Sequence, residues 1–263
     1  MNRLKKHVVI ARVHVQNAFN YRAHVISGLM FYTLFIFVFF SLWQAIYKEG
    51  SVNGYTHGQV VWYLIITEMV VFGCRIPIVG QINEDVKTGS MAYLLNRPVH
   101  YVAYQASAAI GQVVVNFLFT GAVAVVLGFV FVGPVPNFQW AGFPLMLLSA
   151  LMGIALQFFS LVAVGLTAFR LEDNFAIYLI YQKLVFMLGM FLPVEFLPGW
   201  LQGIAKVLPF SYVAWGPAKL FVDFSWSLFL QVVPMQALWI TVMLGISLLM
   251  YRGGMRNLQT NGG

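Results

Sequence analysis

The chain has 263 residues, of which 60% are hydrophobic and only 9% are charged, and its formal net charge is +7. A soluble domain carries about 25% charged residues, so this composition excludes a water-soluble globular protein. The basic residues are scattered between apolar runs, which does not fit a nucleic-acid-binding surface, and the single cysteine, Cys74, excludes an intrachain disulfide or a thiolate metal cluster. Composition therefore predicts one membrane domain.

The first predicted element is an amphipathic helix over residues 3–22. Apolar side chains recur there at every third or fourth position, in a stripe formed by Leu4, Val8, Ala11, Val15 and Phe19. Basic residues occupy the other faces, as is typical of a helix at a membrane interface, where lysine and arginine contact anionic headgroups. The alternative is a cytoplasmic helix that packs on the membrane bundle.

Six apolar runs long enough to form transmembrane helices follow this helix. A spanning helix needs about 20 mostly apolar residues. The runs lie at residues 25–46, 60–79, 103–132, 140–169, 174–192 and 228–250. The first run is too long for the core of a signal peptide, so we expect it to be retained. The predicted fold class is an all-α membrane protein with six transmembrane helices.

Lysine and arginine residues define the predicted orientation, because cytoplasmic loops carry an excess of them. With the N-terminus inside, 11 of the 15 basic residues lie on the cytoplasmic side. Lys48, Lys206 and Lys219 lie outside, and Lys183 lies within the fifth span. Both termini are therefore predicted to be cytoplasmic.

The connection between the second and third spans, residues 81–102, is the longest predicted cytoplasmic loop. Gly89 permits a turn between two short helical stretches. Leu94 and Leu95 form an apolar pair in this water-facing loop, beside Arg97, and such a pair is typical of a protein contact. The alternative is that the loop folds back on its own bundle.

The predicted outer segment, residues 193–226, is long and rich in proline. Its prolines divide it into pieces too short to span: Pro193, Pro198, Pro209 and Pro217. Residues 200–208 are predicted to form a short amphipathic helix. Both a re-entrant hairpin that caps a pathway and a plain interfacial loop are consistent with the sequence, because irregular backbone at membrane depth needs cover from protein or a water-filled cavity.

Two charged residues fall near the middle of predicted spans, Glu68 in the second and Lys183 in the fifth. Each charge costs about 2.5–3.5 kcal/mol at a helix centre, so we predict that they form an interhelical pair. A role in a pathway or gate, or no contact between them, are the alternatives. Arg75 lies close enough to the inner end of its span to extend toward the headgroups.

Motifs for catalysis and metal binding are missing from the sequence. No G-x-x-x-x-G-K-[ST] phosphate loop occurs, so the chain is not expected to bind ATP in that way or to be an enzyme. His7 and His14 are a weak metal signal, and no metal site is predicted. No repeat of 20–50 residues is visible, which disfavours a secondary transporter built from inverted repeats.

Four stretches together resemble the permease subunits of type-2 ATP-binding-cassette (ABC) exporters, in particular their uncharacterised bacterial branch with six spans. They are NAFNYRAHVISGLMFY, EDVKTGSMAYLLNRPVHYVAY, FRLED before span five, and FLPVEFLPGWLQGIAKVLPFSYVAWGPAKL after it. They occur in the same order and topology as in that family, and the likeness covers nearly the whole chain.

This resemblance implies roles for three parts of the chain. Residues 3–22 match the family's connecting helix, and the loop matches its coupling helix, which docks on the ATPase subunit. The matching loop positions are Glu84, Gly89, Leu94, Leu95, Arg97 and Pro98. Those of the outer re-entrant segment are Pro198, Trp200 and Pro209.

The resemblance also implies the partners and the location. Such permeases work as dimers, with a second copy or a paralogous permease, in contact with lipids and not with nucleic acid. ATP and magnesium are bound by partner ABC ATPase subunits, so no cofactor is expected on this chain. The expected location is the plasma (inner) membrane of a bacterium.

Two other functions are consistent with the sequence. The chain could be a non-transporting membrane anchor or sensor for a cytoplasmic ATPase, which would need the loop but not the intramembrane charges. It could also be a proton-coupled secondary transporter that uses Glu68, although one mid-span acid without a repeat disfavours this. The leading prediction is an exporter permease.

Overall fold

The chain is almost entirely helical, as the sequence predicts. The computed structural model describes residues 3–20, 22–47, 51–91, 100–171 and 173–261. These residues contain no β-strand beyond an isolated bridge between Val52 and Tyr55. Five helical stretches are long and apolar enough to cross a membrane: Val25–Ile46, His57–Lys87, Tyr101–Phe131, Trp140–Phe169 and Trp226–Arg256. An all-α membrane protein is therefore confirmed, with five such helices among the described residues.

The described α-helices are numbered α1 to α10 in chain order. Their bounds are Arg3–Asn20 (α1), Arg22–Ile46 (α2), His57–Gly73 (α3), Ile78–Lys87 (α4), Tyr101–Phe131 (α5), Phe143–Leu166 (α6), Phe175–Val185 (α7), Gly199–Ala205 (α8), Pro209–Val222 (α9) and Trp226–Asn261 (α10). Short 3₁₀ turns lie at Trp140–Gly142, Thr167–Phe169 and Val194–Phe196, and a π-helical turn at Phe186–Met190 extends α7.

The predicted second span is broken near its inner end. The helix α3 ends at Gly73, and α4 begins at Ile78, directly after Pro77, which has no backbone N–H to continue a helix. The Asn116 side chain of α5 donates a hydrogen bond to the carbonyl oxygen of Arg75 within the break (Nδ2–O 3.3 Å). Neighbouring protein thus satisfies part of the backbone that the break frees.

The helix predicted over residues 174–192 is shorter in the structure. The α-helix ends at Val185, and the π-helical turn carries it only to Met190. Its length of about 24 Å at 1.5 Å per residue is less than the roughly 30 Å of a bilayer core. Gly189 packs against the backbone of α9, where an added Cβ would lie 2.9 Å from the carbonyl oxygen of Phe210. The chain therefore leaves the helix where α9 packs against it.

The N-terminal helix α1 packs along the inner part of α5. Three contacts share one sequence offset: His7 with Ser107 (Nδ1–Oγ 2.6 Å), Ala11 with Gly111, and Phe19 with Phe119 (ring centroids 6.1 Å). A constant offset over three turns means that the two helices run parallel. Packing on the bundle, one of the two predicted alternatives, is thus observed. The side of α1 that faces away from α5 exposes Val8, Val9 and Arg12.

The helix α9 lies in the core, between α3, α6 and α10. Gly153 of α6 allows this close packing, because a Cβ there would lie 2.4 Å from the carbonyl oxygen of Val213. Gln236 of α10 accepts a hydrogen bond from the Ser149 hydroxyl and donates one to the Tyr212 carbonyl, both at 3.0 Å. The outer segment thus contributes a core helix and is not a surface loop throughout.

Candidate functional site

A tight turn follows α4 within the predicted cytoplasmic loop of residues 81–102, which we call the inner loop. Gly89 has φ +71°, a left-handed conformation that favours glycine, which confirms the predicted turn. The Thr88 hydroxyl donates to the Glu84 carbonyl at 2.8 Å and lies 2.7 Å from the Ser90 hydroxyl. Helical backbone resumes at Ser90. Residues 88–90 therefore form a hydrogen-bonded turn after α4.

A polar and aromatic cluster holds the two sides of this loop together. The Tyr101 hydroxyl donates a hydrogen bond to Asp85 of α4 (Oη–Oδ2 2.8 Å) and accepts one from Gln105 (2.9 Å). The Tyr101 ring stacks on Tyr251 of α10, with centroids 5.6 Å apart, and His100 contacts the same ring at 5.0 Å. We call these five residues the inner cluster. It joins both ends of the loop to α4, α5 and α10.

Sequence reasoning did not identify the inner cluster. Its residues come from three segments that are far apart along the chain, and only the fold brings Asp85 to Tyr101 and Tyr251. The one available signal was a group of aromatic and histidine residues at the end of the predicted loop. A helix start rich in tyrosine fits an interfacial position equally well, so that signal was ambiguous.

The predicted contact residues of the loop are described only in part. Glu84 lies exposed on α4, one position before Asp85, and Gly89 forms the turn. Four further predicted positions lie outside the described residues: Leu94, Leu95, Arg97 and Pro98. Their role as a protein contact remains a prediction.

Glu68 is buried inside the bundle. Glu68 is only 1% exposed and lies on α3, where every residue from Val60 to Val70 is buried. The carboxylate oxygen Oε2 is buried and has no hydrogen-bond partner among the described residues. Glu68 is therefore buried in the bundle without an ion-pair partner among the described residues.

The predicted pair between Glu68 and Lys183 is not formed. Lys183 is exposed on the outward side of α7, whereas Glu68 faces the interior of the bundle. Within the described part of the chain, the one salt bridge within 4.0 Å joins Lys219 to Asp223 at 2.8 Å. The sequence predicts a similar depth for the two charges, but their helices turn them in different directions.

The predicted outer residues lie around α8 and α9. Pro198 directly precedes α8, and Trp200 of α8 is 71% exposed. Pro209 is buried as the first residue of α9, a position where the missing N–H costs nothing. These prolines therefore begin helices in the structure.

A carboxylate joins the outer segment to the loop before α3. The side chains of Tyr55 and Trp215 both donate to Oε2 of Glu195, at 2.9 and 3.3 Å. Lys219 lies over the Tyr55 ring, 4.3 Å from its centroid. Burial, followed by the nearby Glu195 carboxylate, raises the pKa of Tyr55 well above its usual value. The sequence prediction had not singled out Glu195.

The described residues offer no evident metal site. They contain no group of three histidine, cysteine or acidic residues placed to hold an ion. His7 contacts the Ser107 hydroxyl instead. Burial lowers the pKa of His14, the second histidine of α1. Both histidines therefore serve the packing of α1 on α5.

An apolar groove of about 700 Å³ opens between α3, α5 and α6. Its lining is dominated by aromatic and aliphatic side chains, among them Trp62, Phe129 and Trp140. The Trp62 indole N–H donates to the Gly133 carbonyl (3.0 Å), so the polar atom of that ring is already satisfied. The groove suits hydrocarbon chains better than a polar ligand.

Comparison with known proteins agrees with this architecture. The family model described as "ABC-2 family transporter protein" matches residues 26–262, nearly the whole chain. No curated protein matches the chain at a significant level. The match includes all five long apolar helices together with the inner loop and the outer segment. The chain therefore belongs to the ABC-2 transporter family and is a multi-pass membrane permease subunit of an ABC transporter.

Proposed function

We propose that this chain is one of two permease subunits of an ATP-driven exporter in a bacterial plasma membrane. In this proposal the short helix α7 with its π-helical turn is the fifth of six crossings. Both termini are cytoplasmic, which requires an even number of crossings. The family supports the permease role, and the bacterial plasma membrane follows from the resemblance alone. The physical features below support the orientation, the docking loop, the re-entrant segment and the pairing of two subunits.

The orientation rests on charge and on the inner cluster. Tyr251, near the end of α10, stacks on Tyr101 at the end of the inner loop, so these two parts lie on the same side of the membrane. Most lysine and arginine residues fall on that side, including Arg252 and Arg256 beyond Tyr251. The positive-inside rule then places the loop and the C-terminus in the cytoplasm.

The inner loop is proposed as the docking site of the ATPase, and the inner cluster is the observation that carries this proposal. A loop can transmit a displacement only if its ends are fixed to the elements that must move. Here Asp85, Tyr101 and Tyr251 fix both ends of the loop to the inner parts of three helices. ATP and Mg²⁺ would be bound and hydrolysed by the partner ATPase, which would bias the permeases between two states.

The segment between α7 and α10 is proposed to be re-entrant from the outer side. The Trp239 indole N–H donates to the carbonyl of Val207, which lies in the turn between α8 and α9 (3.0 Å). Trp239 lies 13 residues after Trp226, so this contact is about 20 Å along α10 from its outer end. Such depth supports a hairpin in which α8 enters the membrane and α9 returns.

Two permease subunits are proposed because six crossings from one chain are too few to enclose a pathway for a bulky cargo. The partner is a second copy or a paralogous permease. The outward side of α2 is largely apolar, with Met30 and Leu34 among its most exposed residues, and its exposed polar residues, Ser27, Ser41 and Gln44, are uncharged. It offers a surface for the partner or for lipid.

Copurification from the native host tests the docking proposal. The tagged chain should bring down an ATPase that carries a phosphate-binding loop, together with the partner permease. The double variant Leu94→Asp, Leu95→Asp should lose the ATPase, because two carboxylates replace the apolar pair at the contact. The matched control is Ser51→Asp, Asn53→Asp, which adds two acids in the exposed outer loop and should retain the ATPase.

Either of two results would contradict the proposal. The ATPase would be absent from every preparation, or it would remain bound to the inner-loop variant. A second permease of different sequence in the purified complex would identify a heterodimer.

A further inference from the structure

Lys183 lies at the centre of the exposed side of α7. On a helix, positions three, four and seven apart share one face. Ile180 and Met187 lie on this face and are each 61% exposed, and Ala176 and Leu179 are exposed beside them. The face is thus apolar except for one ammonium group, whereas the exposed residues of α2 between Ile26 and Ile46 carry no charge.

The depth of Lys183 makes contact with hydrocarbon costly. It lies eight residues after Phe175, or about 12 Å along the helix from its inner end. A lysine near a helix centre costs about 2.5–3.5 kcal/mol on insertion, and such residues nearly always face a protein interior or a water-filled cavity. The exposed side of α7 therefore faces one of these in the assembled transporter.

The described part of the chain provides no counter-charge for Lys183. No carboxylate oxygen of a described residue lies within 4.0 Å of its ammonium group. Glu68, at similar depth, is enclosed within the bundle, and Asp223 pairs with Lys219 at the outer end. An anion that compensates Lys183 must therefore come from outside these residues.

The neighbouring residue of Lys183 lines a cavity that contains both apolar and polar side chains. Gln182 faces a space of about 180 Å³ between α7, α6 and the break after α3. Its lining also includes Tyr178, Gln157 and Arg75, so hydrogen-bonding groups and a second basic residue line a space next to α7. The Gln182 amide donates to the Tyr178 hydroxyl (2.8 Å). The side of α7 next to the Lys183 face thus borders hydrogen-bonding groups and one further basic residue.

We propose that Lys183 binds the anionic headgroup of an amphipathic cargo in a water-filled pathway lined by the exposed side of α7. This inference rests on the proposed function, because the pathway would lie between two permease subunits. The cargo's negative charge would pair with the ammonium group, and Ile180 and Met187 would contact its apolar chain. A homodimer would bring two such lysines toward one pathway, which strengthens the preference for an anion over a cation.

Water access to position 183 is the first test, and it does not depend on transport. Cysteine is introduced by Lys183→Cys in a Cys74→Ser background, which removes the only native cysteine. The control is Leu238→Cys on α10, 52% exposed and about 18 Å from the outer end of that helix, hence at a similar depth. In native membranes that contain the full complex, a charged, water-soluble thiol reagent should modify position 183 much faster than position 238. Equal rates would overturn the inference.

Headgroup selectivity is the second test. The purified complex, reconstituted with its ATPase, is assayed for ATP-dependent translocation of two fluorescent lipids with identical chains, a phosphatidylglycerol and a phosphatidylcholine. The wild type should prefer the anionic lipid, Lys183→Gln should lower that preference about tenfold through loss of a charge-assisted contact, and Lys183→Arg should retain it. Assembly with the ATPase is checked for each variant by copurification.

The outcomes separate this inference from the proposed function. If Lys183→Gln keeps the wild-type preference, or if the wild type prefers the zwitterionic lipid or moves neither lipid, Lys183 does not select an anionic amphiphile. If no ATPase copurifies with any version, the proposed function fails, and the thiol-labelling rates still decide whether Lys183 faces water.

Discussion

Substitution of Gly111 gives the most direct structural prediction, because α1 packs on α5 at this residue. A Cβ at this position would lie 2.2 Å from the carbonyl oxygen of Ala11 and 3.0 Å from the Cβ of His14. The first separation is about 1 Å shorter than a van der Waals contact, and it involves backbone that cannot rotate away. The substitution Gly111→Leu should therefore push α1 off α5.

The expected magnitude follows from overpacking. Extra methylene groups in a well-packed contact cost about 1–3 kcal/mol, and a clash with backbone belongs in the upper half of that range. A cost of about 2 kcal/mol lowers the equilibrium constant between docked and undocked α1 roughly 30-fold. The control is Gly121→Leu on the same helix, where the nearest atom is the flexible Met69 side chain at 3.7 Å. Both substitutions replace a glycine in α5, so their intrinsic helix propensities change alike.

Crosslinking measures the docked population. Cysteines at positions 7 and 107, in a Cys74→Ser background, replace a pair whose side-chain atoms lie 2.6 Å apart. A short bifunctional thiol reagent should join them efficiently in the parent protein and in the Gly121→Leu control. Crosslinking should fall strongly with Gly111→Leu. Unchanged crosslinking in that variant would refute the parallel packing of α1 along α5.

Three further predictions concern single side chains. Tyr101→Phe keeps the ring stack but removes the hydrogen bond to Asp85. We expect the free energy of unfolding, measured by thermal unfolding, to fall by about 1.5–3 kcal/mol, and ATP hydrolysis to be coupled more weakly to transport. Glu68→Gln and Lys183→Gln should have additive effects on thermal stability, because the two groups form no pair, and a coupling energy above about 0.5 kcal/mol would contradict this. Burial lowers the pKa of His14, which means that docking of α1 on α5 favours the neutral imidazole. Docking should therefore be strongest above the usual histidine pKa of about 6.5 and should weaken as the pH drops toward 5. The substitution His14→Gln should flatten the pH dependence of the crosslink.

The long apolar helices were predictable from sequence because lipid imposes a simple rule on them. A run such as Val25–Ile46 must form a helix in hydrocarbon, since every backbone polar group needs an internal partner. The turn at Gly89 was predictable for an equally local reason, since a left-handed backbone conformation after a helix favours glycine at that position. The family resemblance was likewise carried by local stretches, and the family model confirms it.

Features that depend on the direction of a side chain were not predictable. The sequence predicts the depth of Glu68 and Lys183 along their spans, but depth does not say toward which neighbour a helix turns a residue, and that direction is determined by packing on all sides of α3. The inner cluster and the Glu195 contacts share this cause, because each joins segments far apart in sequence. The shortening of α7 depends on its contact with α9 at Gly189.

Site-specific photocrosslinking tests the central claim, that an ATPase drives this permease through the inner loop. A photoreactive amino acid replaces Glu84, which is exposed on α4 beside the turn, or Asn53 in the exposed outer loop. In living cells of the native host, the probe at position 84 should form an adduct with a protein that carries a phosphate-binding loop, and the probe at position 53 should not. An ATPase adduct at position 53 alone, or no ATPase adduct at position 84 while the complex is intact, would contradict the account.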